Sequence, residues 1–215
     1  MPSRSPPPMA WPADAPLAGR RLLIFDLDGT VADTAAIHEA AFNATLARFG
    51  IAVDYHAIAG LRTDDALDRV LAAHGIAVPA DQRTRLIEEK RVAAREGLRD
   101  VAPLPGAMDF IAWARPRYRL AMASSGSGRS VRFVLDRLGL AGCFAPLVSG
   151  DDVIRPKPDP EPFRRCLEQA GMPAADALVF EDADAGMASA RAAGIAAVRI
   201  GAGAHDWREL LAAAR

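Results

Sequence analysis

Short hydrophobic segments recur along the chain and are separated by longer amphipathic stretches. Five of these segments have the character of β-strands, at residues 21–26, 118–124, 146–150, 177–182 and 196–200. Their mostly apolar, non-alternating composition is typical of a parallel sheet that is covered on both faces. Helical spacing of apolar residues fills most of the intervals after residue 100, and several of these stretches end at glycine. The pattern predicts a βαβ series and therefore an open α/β sheet.

The segment after the first strand breaks this alternation. Three amphipathic helical patterns follow one another there, at residues 34–50, 63–75 and 81–97. With no convincing strand between them, we predict an all-helical domain at residues 34–103, inserted into an α/β core domain of residues 18–33 and 104–215. A helical module on a βα connection would form a lid over the carboxyl edge of the sheet, where folds of this class bind ligands.

Composition excludes several kinds of partner. The chain has 215 residues, 51% of them hydrophobic, and a net charge of -1. This length suffices for one substantial core, and the near-zero charge gives no general attraction to nucleic acid or to a membrane surface. No apolar stretch is long enough to span a bilayer. We therefore expect neither a nucleic-acid nor a membrane partner, and a monomer or weak dimer.

The first residues and the cysteines indicate the cellular setting. The first 16 residues contain six prolines and lack the cationic start and apolar segment of a secretory signal, so residues 1–17 are predicted to form a flexible, proline-rich tail. Cys143 and Cys166 lie too far apart for a CxxC-type metal motif. Two such cysteines are typical of small core residues in a reducing cytosol, and the protein is expected to be cytoplasmic.

Polar residues follow the ends of several predicted strands. Along the chain they are Asp26 and Asp28, then Ser124 and Ser125, then Glu181 and Asp182. Lys157 lies in the proline-rich loop 155–160. The carboxyl ends of parallel strands meet at one edge, so these side chains are expected to converge there. A carboxylate cluster of this kind predicts a hard cation held by oxygen ligands, most simply Mg²⁺.

This set of residues suits phosphoryl transfer. A carboxylate such as Asp26 can act as a nucleophile, but two unit charges of like sign 4 Å apart repel by about 4 kcal/mol at an effective dielectric constant near 20. Mg²⁺ and Lys157 would turn repulsion of a phosphate dianion into attraction, and the Ser124 hydroxyl could hold phosphoryl oxygens. Asp28 is placed to protonate a leaving oxygen and later to deprotonate water.

Four segments in this order resemble the haloacid dehalogenase superfamily of phosphohydrolases. They are "DLDGT" (26–30), "ASS" (123–125), "RPKPDP" (155–160) and "FEDADAG" (180–186). The helical insertion stands where that superfamily carries its C1-type cap. The resemblance covers residues 20 to 203, and it implies an α/β fold with an open, Rossmann-like parallel sheet and an activity as a Mg²⁺-dependent phosphatase of a small phosphorylated metabolite.

The resemblance also implies a role for each matched residue. Asp26 would be the nucleophile that becomes an aspartyl phosphate, and Asp28 the general acid/base whose backbone carbonyl also binds Mg²⁺. Ser124, Ser125 and Lys157 are the candidates for phosphate binding. Asp182, supported by Glu181, would complete the metal site.

The helical segment holds the candidates for substrate contact. "TVADTAAIH" (30–38) resembles the corresponding segment of sugar-phosphate phosphatases and β-phosphoglucomutases. His38, Arg62 and Lys90 are the candidates for substrate contact, although each could equally be a packed or solvated helix residue. The mutases usually carry a Gly-x-Ser-Arg segment, where this chain has "GLRTDDAL" (60–67).

Three hypotheses follow for the activity. The first is a phosphatase of a sugar phosphate. The second is a phosphosugar mutase of the β-phosphoglucomutase type, which the missing Ser-Arg order disfavours. The third is a non-catalytic binding protein on the same fold, because a fold alone does not specify a function.

Overall fold

A central parallel sheet organises the structure. The computed structural model describes residues 17–201 and 204–215, so the predicted proline-rich tail lies outside the described residues except for its last position. The five strands of the sheet are β1 (Leu22–Phe25), β4 (Arg119–Ala123), β5 (Leu147–Val148), β6 (Ala177–Glu181) and β7 (Ala196–Arg199). Their order across the sheet is β5-β4-β1-β6-β7. All five predicted strands are confirmed, and so is the parallel pairing.

Strand β1 occupies the centre of the sheet and is buried on both faces. Leu22 to Phe25 pair in register with Arg119 to Met122 on one side and with Ala177 to Phe180 on the other. Successive side chains point to opposite faces, so Leu23 and Phe25 contribute to one buried cluster while Leu22 and Ile24 contribute to another. This two-sided burial explains why the sequence of β1 is continuously apolar.

Helices cover both faces of the sheet. They are α4 (Ala107–Ala114), α5 (Gly128–Arg137), α6 (Glu161–Ala170), α7 (Asp184–Ala192) and α8 (Trp207–Ala213). Helices α4, α5 and α8 contribute to the cluster that contains Phe25. Helices α6 and α7 contribute to the cluster that contains Ile24. Since helices cover both faces of the sheet, the polar residues that follow the strands collect at its edge, at the carboxyl ends of the strands.

Three further helices lie between β1 and β4 along the chain. They are α1 (Ala35–Leu46), α2 (Thr63–Ala73) and α3 (Ala80–Gly97). They share a buried cluster of their own, which includes Phe42, Leu67 and Leu86 and no residue of the central sheet. The three predicted helices are thus confirmed, while the proposed division into two domains stays a prediction.

A two-stranded antiparallel ribbon joins the ends of this helical segment. Strand β2 (Ala32–Asp33) pairs with β3 (Ala102–Pro103), immediately before α1 and soon after α3. The sequence analysis found no strand here, because a segment of two residues is too short to show any periodicity. The ribbon holds both connections of the helical segment side by side. No helix in the described part of the chain is both long and apolar enough to cross a membrane.

Helix α8 was not predicted, and it anchors the loop after β1. The Trp207 indole N–H donates to the Thr30 carbonyl at 2.7 Å, and its ring stacks on Phe25 with the ring centroids 5.7 Å apart. Both Trp207 and Thr30 are almost completely buried. A residue far along the chain therefore fixes the conformation of residues 26–30.

We expect Trp207→Phe to lower the free energy of unfolding by about 1–3 kcal/mol, because it leaves the buried Thr30 carbonyl without its donor. Chemical denaturation followed by circular dichroism measures this change.

Trp113→Phe is the matched control, since Trp113 is only half-buried and its replacement should cost less. An equal loss in the two variants would contradict a specific role for the Trp207 hydrogen bond.

Candidate active site

The carboxylate of Asp26 lies at the end of the central strand and contacts a buried lysine. Lys157 Nζ donates to Asp26 Oδ1 at 2.7 Å and to Glu181 Oε2 at 2.7 Å. The three side chains are almost fully buried, and the ammonium also lies 5.1 Å from the centre of the Phe163 ring. Burial opposes a charged lysine, but the two carboxylates outweigh it and raise the pKa of Lys157. The two carboxylates therefore favour the charged form of Lys157.

Three carboxylates meet beside this lysine. Asp26, Glu181 and Asp182 each offer an oxygen, and these oxygens lie within 4.8 Å of one another. Burial and then the charge of Glu181 raise the pKa of Asp26 well above its ordinary value, and the same two causes raise the pKa of Asp182 to about 7. A single lysine thus does not neutralise the cluster. The all-oxygen donor set and its uncompensated charge fit a hard divalent cation such as Mg²⁺.

The loop after β1 passes close to this cluster. Gly29 has a positive φ of 81°, and a Cβ atom at this position would lie 2.2 Å from Asp182 Oδ2. Thr30 Oγ1 donates to Asp182 Oδ1 at 3.1 Å. Only glycine lets the backbone turn here and approach the carboxylate, which explains the "DGT" part of the first motif.

Asp28 faces away from the carboxylate cluster. Its Oδ1 accepts from Thr34 Oγ1 at 2.9 Å and contacts His38 Nε2 at 3.1 Å, while Ser124 Oγ lies 3.5 Å from its Oδ2. Burial alone would raise the pKa of Asp28, but the hydrogen bonds and charges around it prevail, those of His38 first, and the pKa lies below its ordinary value. Two carboxylates two residues apart thus have opposite environments.

A lysine of the helical segment extends this network. Lys90 Nζ, on α3, lies 3.2 Å from His38 Nδ1 and 4.6 Å from the centre of the Phe42 ring. An ammonium can only donate, so Nδ1 accepts and Nε2 carries the proton that is directed at Asp28. Burial lowers the pKa of Lys90 to about 8, although the charge of Asp28 opposes this.

A cavity of about 60 Å³ lies between the strand ends and the helical segment. Its wall includes Asp26 and Asp28 from the sheet, and His38, Tyr55 and Lys90 from the helical segment. Since one water needs at least about 10–15 Å³ by this measure, the space holds only a few waters. The space between the helical segment and the strand ends is therefore narrow in this structure.

The side chains of two predicted site residues are bonded to other parts of the protein. Ser125 Oγ lines the cavity and donates to the Gly60 carbonyl at 2.6 Å. Arg62 pairs with Asp64 at 2.6 Å and lies 3.6 Å from Asp65, and it does not line the cavity described above. The phosphate contact of Ser125 and the substrate contact of Arg62 therefore stay predictions.

Several residues of this site were not predicted from the sequence, and four of them bear on its chemistry. They are Thr30, Thr34, Tyr55 and Arg91. Thr34 stands four residues before His38, a spacing that places both on one side of α1, and this signal could have been used. Tyr55 begins a 3₁₀ helix of three residues, Tyr55–Ala57, which is too short to show periodicity in the sequence. Its ring lies 5.8 Å from that of His38. Burial and then the charge of Asp28 raise its pKa well above the ordinary value.

Comparison with known proteins identifies the family. Residues 23–200 match the haloacid dehalogenase-like hydrolases. The chain is 33% identical to the fructose-1-phosphate phosphatase YqaB of Escherichia coli over 179 residues, which cover 83% of this chain and 95% of that protein. It is 32% identical to a phosphoglycolate phosphatase of Rhodospirillum rubrum, covering 83% and 78% of the two chains.

A solved structure confirms the architecture. The β-phosphoglucomutase of Clostridium difficile superposes with a TM-score of 0.79, covering 85% of each chain at 23% identity. This likeness shows the fold alone. The chain belongs to the haloacid dehalogenase-like hydrolases, and the predictions of this family, of its α/β fold and of a hydrolase of the phosphatase type are confirmed.

The contact between the helical segment and the strand ends can be tested at Gly60. This residue has a φ of 76°, and a Cβ atom there would lie 2.7 Å from the Cβ of Ala183. We expect Gly60→Ala to push the segment away from the strand ends and to slow phosphate release by about tenfold or more, since small displacements of catalytic groups are costly. Steady-state kinetics on any accepted phosphate ester measures the effect.

Gly75→Ala is the control for backbone strain. Gly75 also has a positive φ, of 67°, but a Cβ there would meet nothing within 4 Å. Equal rates for the two variants would show that the close approach at Gly60 does not matter for activity.

Proposed function

We propose that this protein is a Mg²⁺-dependent phosphatase of a small phosphorylated metabolite, a sugar phosphate or a phosphorylated acid, and that it works through an aspartyl phosphate on Asp26. Two neighbouring features carry the proposal. Asp26 lies 2.7 Å from Lys157, and a second carboxylate, that of Asp28, lines the same cavity as Asp26. The names of the two relatives support this range of substrates.

Asp26 supplies the nucleophile. One of its oxygens attacks phosphorus, and the bond from phosphorus to the ester oxygen breaks. Lys157 contacts Asp26 directly and can hold a phosphoryl oxygen at the same time, because an ammonium has three donors. Ser124, whose hydroxyl lies beside Asp28, is the second proposed phosphate ligand.

Asp28 moves the protons. It protonates the leaving oxygen in the first step; in the second it takes a proton from the water that attacks the aspartyl phosphate, which releases phosphate and regenerates Asp26. Its pKa lies below the ordinary value in the free site, but a bound phosphoryl dianion raises the pKa of a neighbouring carboxyl. Thr34 and His38 hold the side chain towards the cavity.

The proposed metal ligands are the Asp26 and Asp182 carboxylates and the backbone carbonyl of Asp28, with Glu181 in support. The Asp28 side chain points away from the cluster, towards Thr34 and His38, so only its backbone is available for this role. When bound, Mg²⁺ supplies positive charge that offsets repulsion between the carboxylates and the phosphoryl oxygens.

The helical segment is proposed to act as a cap on the site. Residues 34–103 would then form one domain and residues 18–33 and 104–215 the other. His38 and Lys90 line the cavity and are the proposed contacts of this segment with the substrate. A cytoplasmic location belongs to the same proposal, supported by the two free cysteines.

A mutase of the β-phosphoglucomutase type remains the alternative, because it would share the aspartyl phosphate. The products distinguish the two: a phosphatase releases inorganic phosphate, whereas a mutase converts β-glucose 1-phosphate to glucose 6-phosphate with little free phosphate. Both products should therefore be measured over a panel of sugar phosphates and phosphoglycolate.

The roles of the two aspartates give a paired prediction. Asp26→Asn should abolish turnover, because an amide cannot replace the nucleophile, whereas Asp28→Asn should lower kcat by about 10²-fold or more. Phosphate release under single-turnover and steady-state conditions distinguishes the two effects.

Asp33→Asn controls for the loss of one negative charge nearby, since Asp33 is exposed; it should leave turnover unchanged. An Asp28→Asn enzyme with nearly wild-type turnover would refute the proton-transfer role.

The metal site is tested at Asp182. EDTA should abolish phosphate release and added Mg²⁺ restore it, and Asp182→Asn should raise the Mg²⁺ concentration for half-maximal activity by about tenfold or more. The measurement is a titration of activity with Mg²⁺.

Asp184→Asn provides the comparison, because the Asp184 side chain is 98% exposed and lies only two residues further on. A full rate in EDTA, or equal Mg²⁺ requirements in the two variants, would count against the site.

A further inference from the structure

The cavity wall contains a cation without a partner. Its cationic or potentially cationic side chains within the described ranges are His38, Lys90 and Arg91. His38 contacts Asp28, and Lys90 contacts His38. Among the residues that the structure describes, Arg91 has neither a hydrogen bond nor an ion pair.

The position of Arg91 follows from the geometry of α3. Arg91, Ala94 and Leu98 stand three and four residues apart, so they share one side of the helical turn, and all three line the cavity. Ser130 and Val131 of α5 also line the cavity. Arg91 thus lies on a wall of the cavity and is half-buried.

Two adjacent cations on one wall are unfavourable without an anion. The charge of Arg91 is one of the causes that lower the pKa of Lys90. The charge of Asp28 raises the pKa of Lys90 in return, and the His38 ring contacts both Asp28 and Lys90. Lys90 is therefore linked to a carboxylate through His38, whereas no carboxylate of the described residues lies within ion-pair distance of Arg91.

A guanidinium group presents donors in a planar fork that suits a carboxylate or a phosphate. We propose that Arg91 forms a subsite for a second anionic group of the substrate, remote from the phosphoryl group that Asp26 attacks. This inference rests on the proposed phosphatase function and narrows its substrate class. The preferred substrates are phosphate esters that carry a second anion, either a carboxylate or another phosphate.

Two matched pairs of substrates distinguish the source of that anion. Phosphoglycolate is compared with 2-hydroxyethyl phosphate, which lacks the carboxylate, and fructose 1,6-bisphosphate with fructose 1-phosphate, which lacks the second phosphate. The quantity measured is the ratio of kcat/KM between the members of each pair, with Mg²⁺ present. For at least one pair we expect the wild type to prefer the substrate with two anions by about tenfold or more, the size of one charge-assisted hydrogen bond.

Variants test whether Arg91 is responsible. Arg91→Gln should remove most of this preference, chiefly through KM, and should leave kcat/KM of the partner substrate with one anion within about twofold. Arg91→Lys should keep much of the preference because it keeps the charge. Arg95→Gln is the matched control, since Arg95 is half-buried one turn further along α3 and does not line the cavity.

A binding measurement makes the test independent of turnover. Calorimetric titration of the Asp26→Asn variant with phosphoglycolate and 2-hydroxyethyl phosphate, and with the two fructose phosphates, should show the same preference and its loss on adding Arg91→Gln. If binding shows the preference while the wild type hydrolyses nothing, the proposed function fails and this subsite stands.

Three results would overturn the subsite. The first is equal binding and equal kcat/KM within both pairs for the wild type. The second is an unchanged ratio in Arg91→Gln. The third is an equal loss for both members of a pair, which would mean that Arg91 supports the fold or the closure rather than a second anion.

Discussion

The buried contact of Lys157 with Asp26 and Glu181 is the interaction on which the site depends. Ion pairs in a protein interior are stable only when the geometry is good and the charges are matched, because desolvation is costly. Here one ammonium lies 2.7 Å from each of two carboxylates, and Asp182 adds a third acidic group nearby. The fold therefore holds an excess of negative charge at the end of its central strand, and a divalent cation is the natural complement.

The same arrangement gives the two aspartates after β1 different surroundings. Asp26 faces the acidic cluster, where burial and Glu181 raise its pKa, whereas Asp28 faces Thr34 and His38, which lower its pKa. Pairs of carboxyl groups whose surroundings shift their pKa values apart commonly divide the chemistry between them. The separation depends on the turn at Gly29 and on its anchoring by Trp207 through the Thr30 carbonyl, so the far end of the chain contributes to the distinction.

The elements that could be predicted from the sequence are those with a long apolar segment or a clear helical period, and the shorter elements could not be. The five strands follow from their continuous apolar segments and the helices between them from apolar periodicity. The meeting of Asp26 and Asp182 follows from the rule that parallel strands end at one edge. Helix α8 and the β2–β3 ribbon could not be found in this way, because one is only seven residues long and the other has two residues per strand. Arg62 and Arg91 show a second limit. Periodicity identifies an amphipathic helix, but it does not determine which side of that helix faces a cleft formed with another part of the chain.

This limit has a physical basis, because the site is formed by two parts of the chain: the strand ends and the helical segment. The groups that we propose to perform the chemistry are positioned by the hydrogen-bonded register of the sheet, in which Phe25 lies opposite both Met122 and Phe180. The proposed substrate contacts of the helical segment stand on α1 and α3, which pack mainly on each other around their own buried cluster. Their position relative to the strand ends depends on contacts such as that of Ser125 with the Gly60 carbonyl. If the proposed function holds, a change on α3 would alter which molecule is accepted and would leave the geometry of the strand ends unchanged.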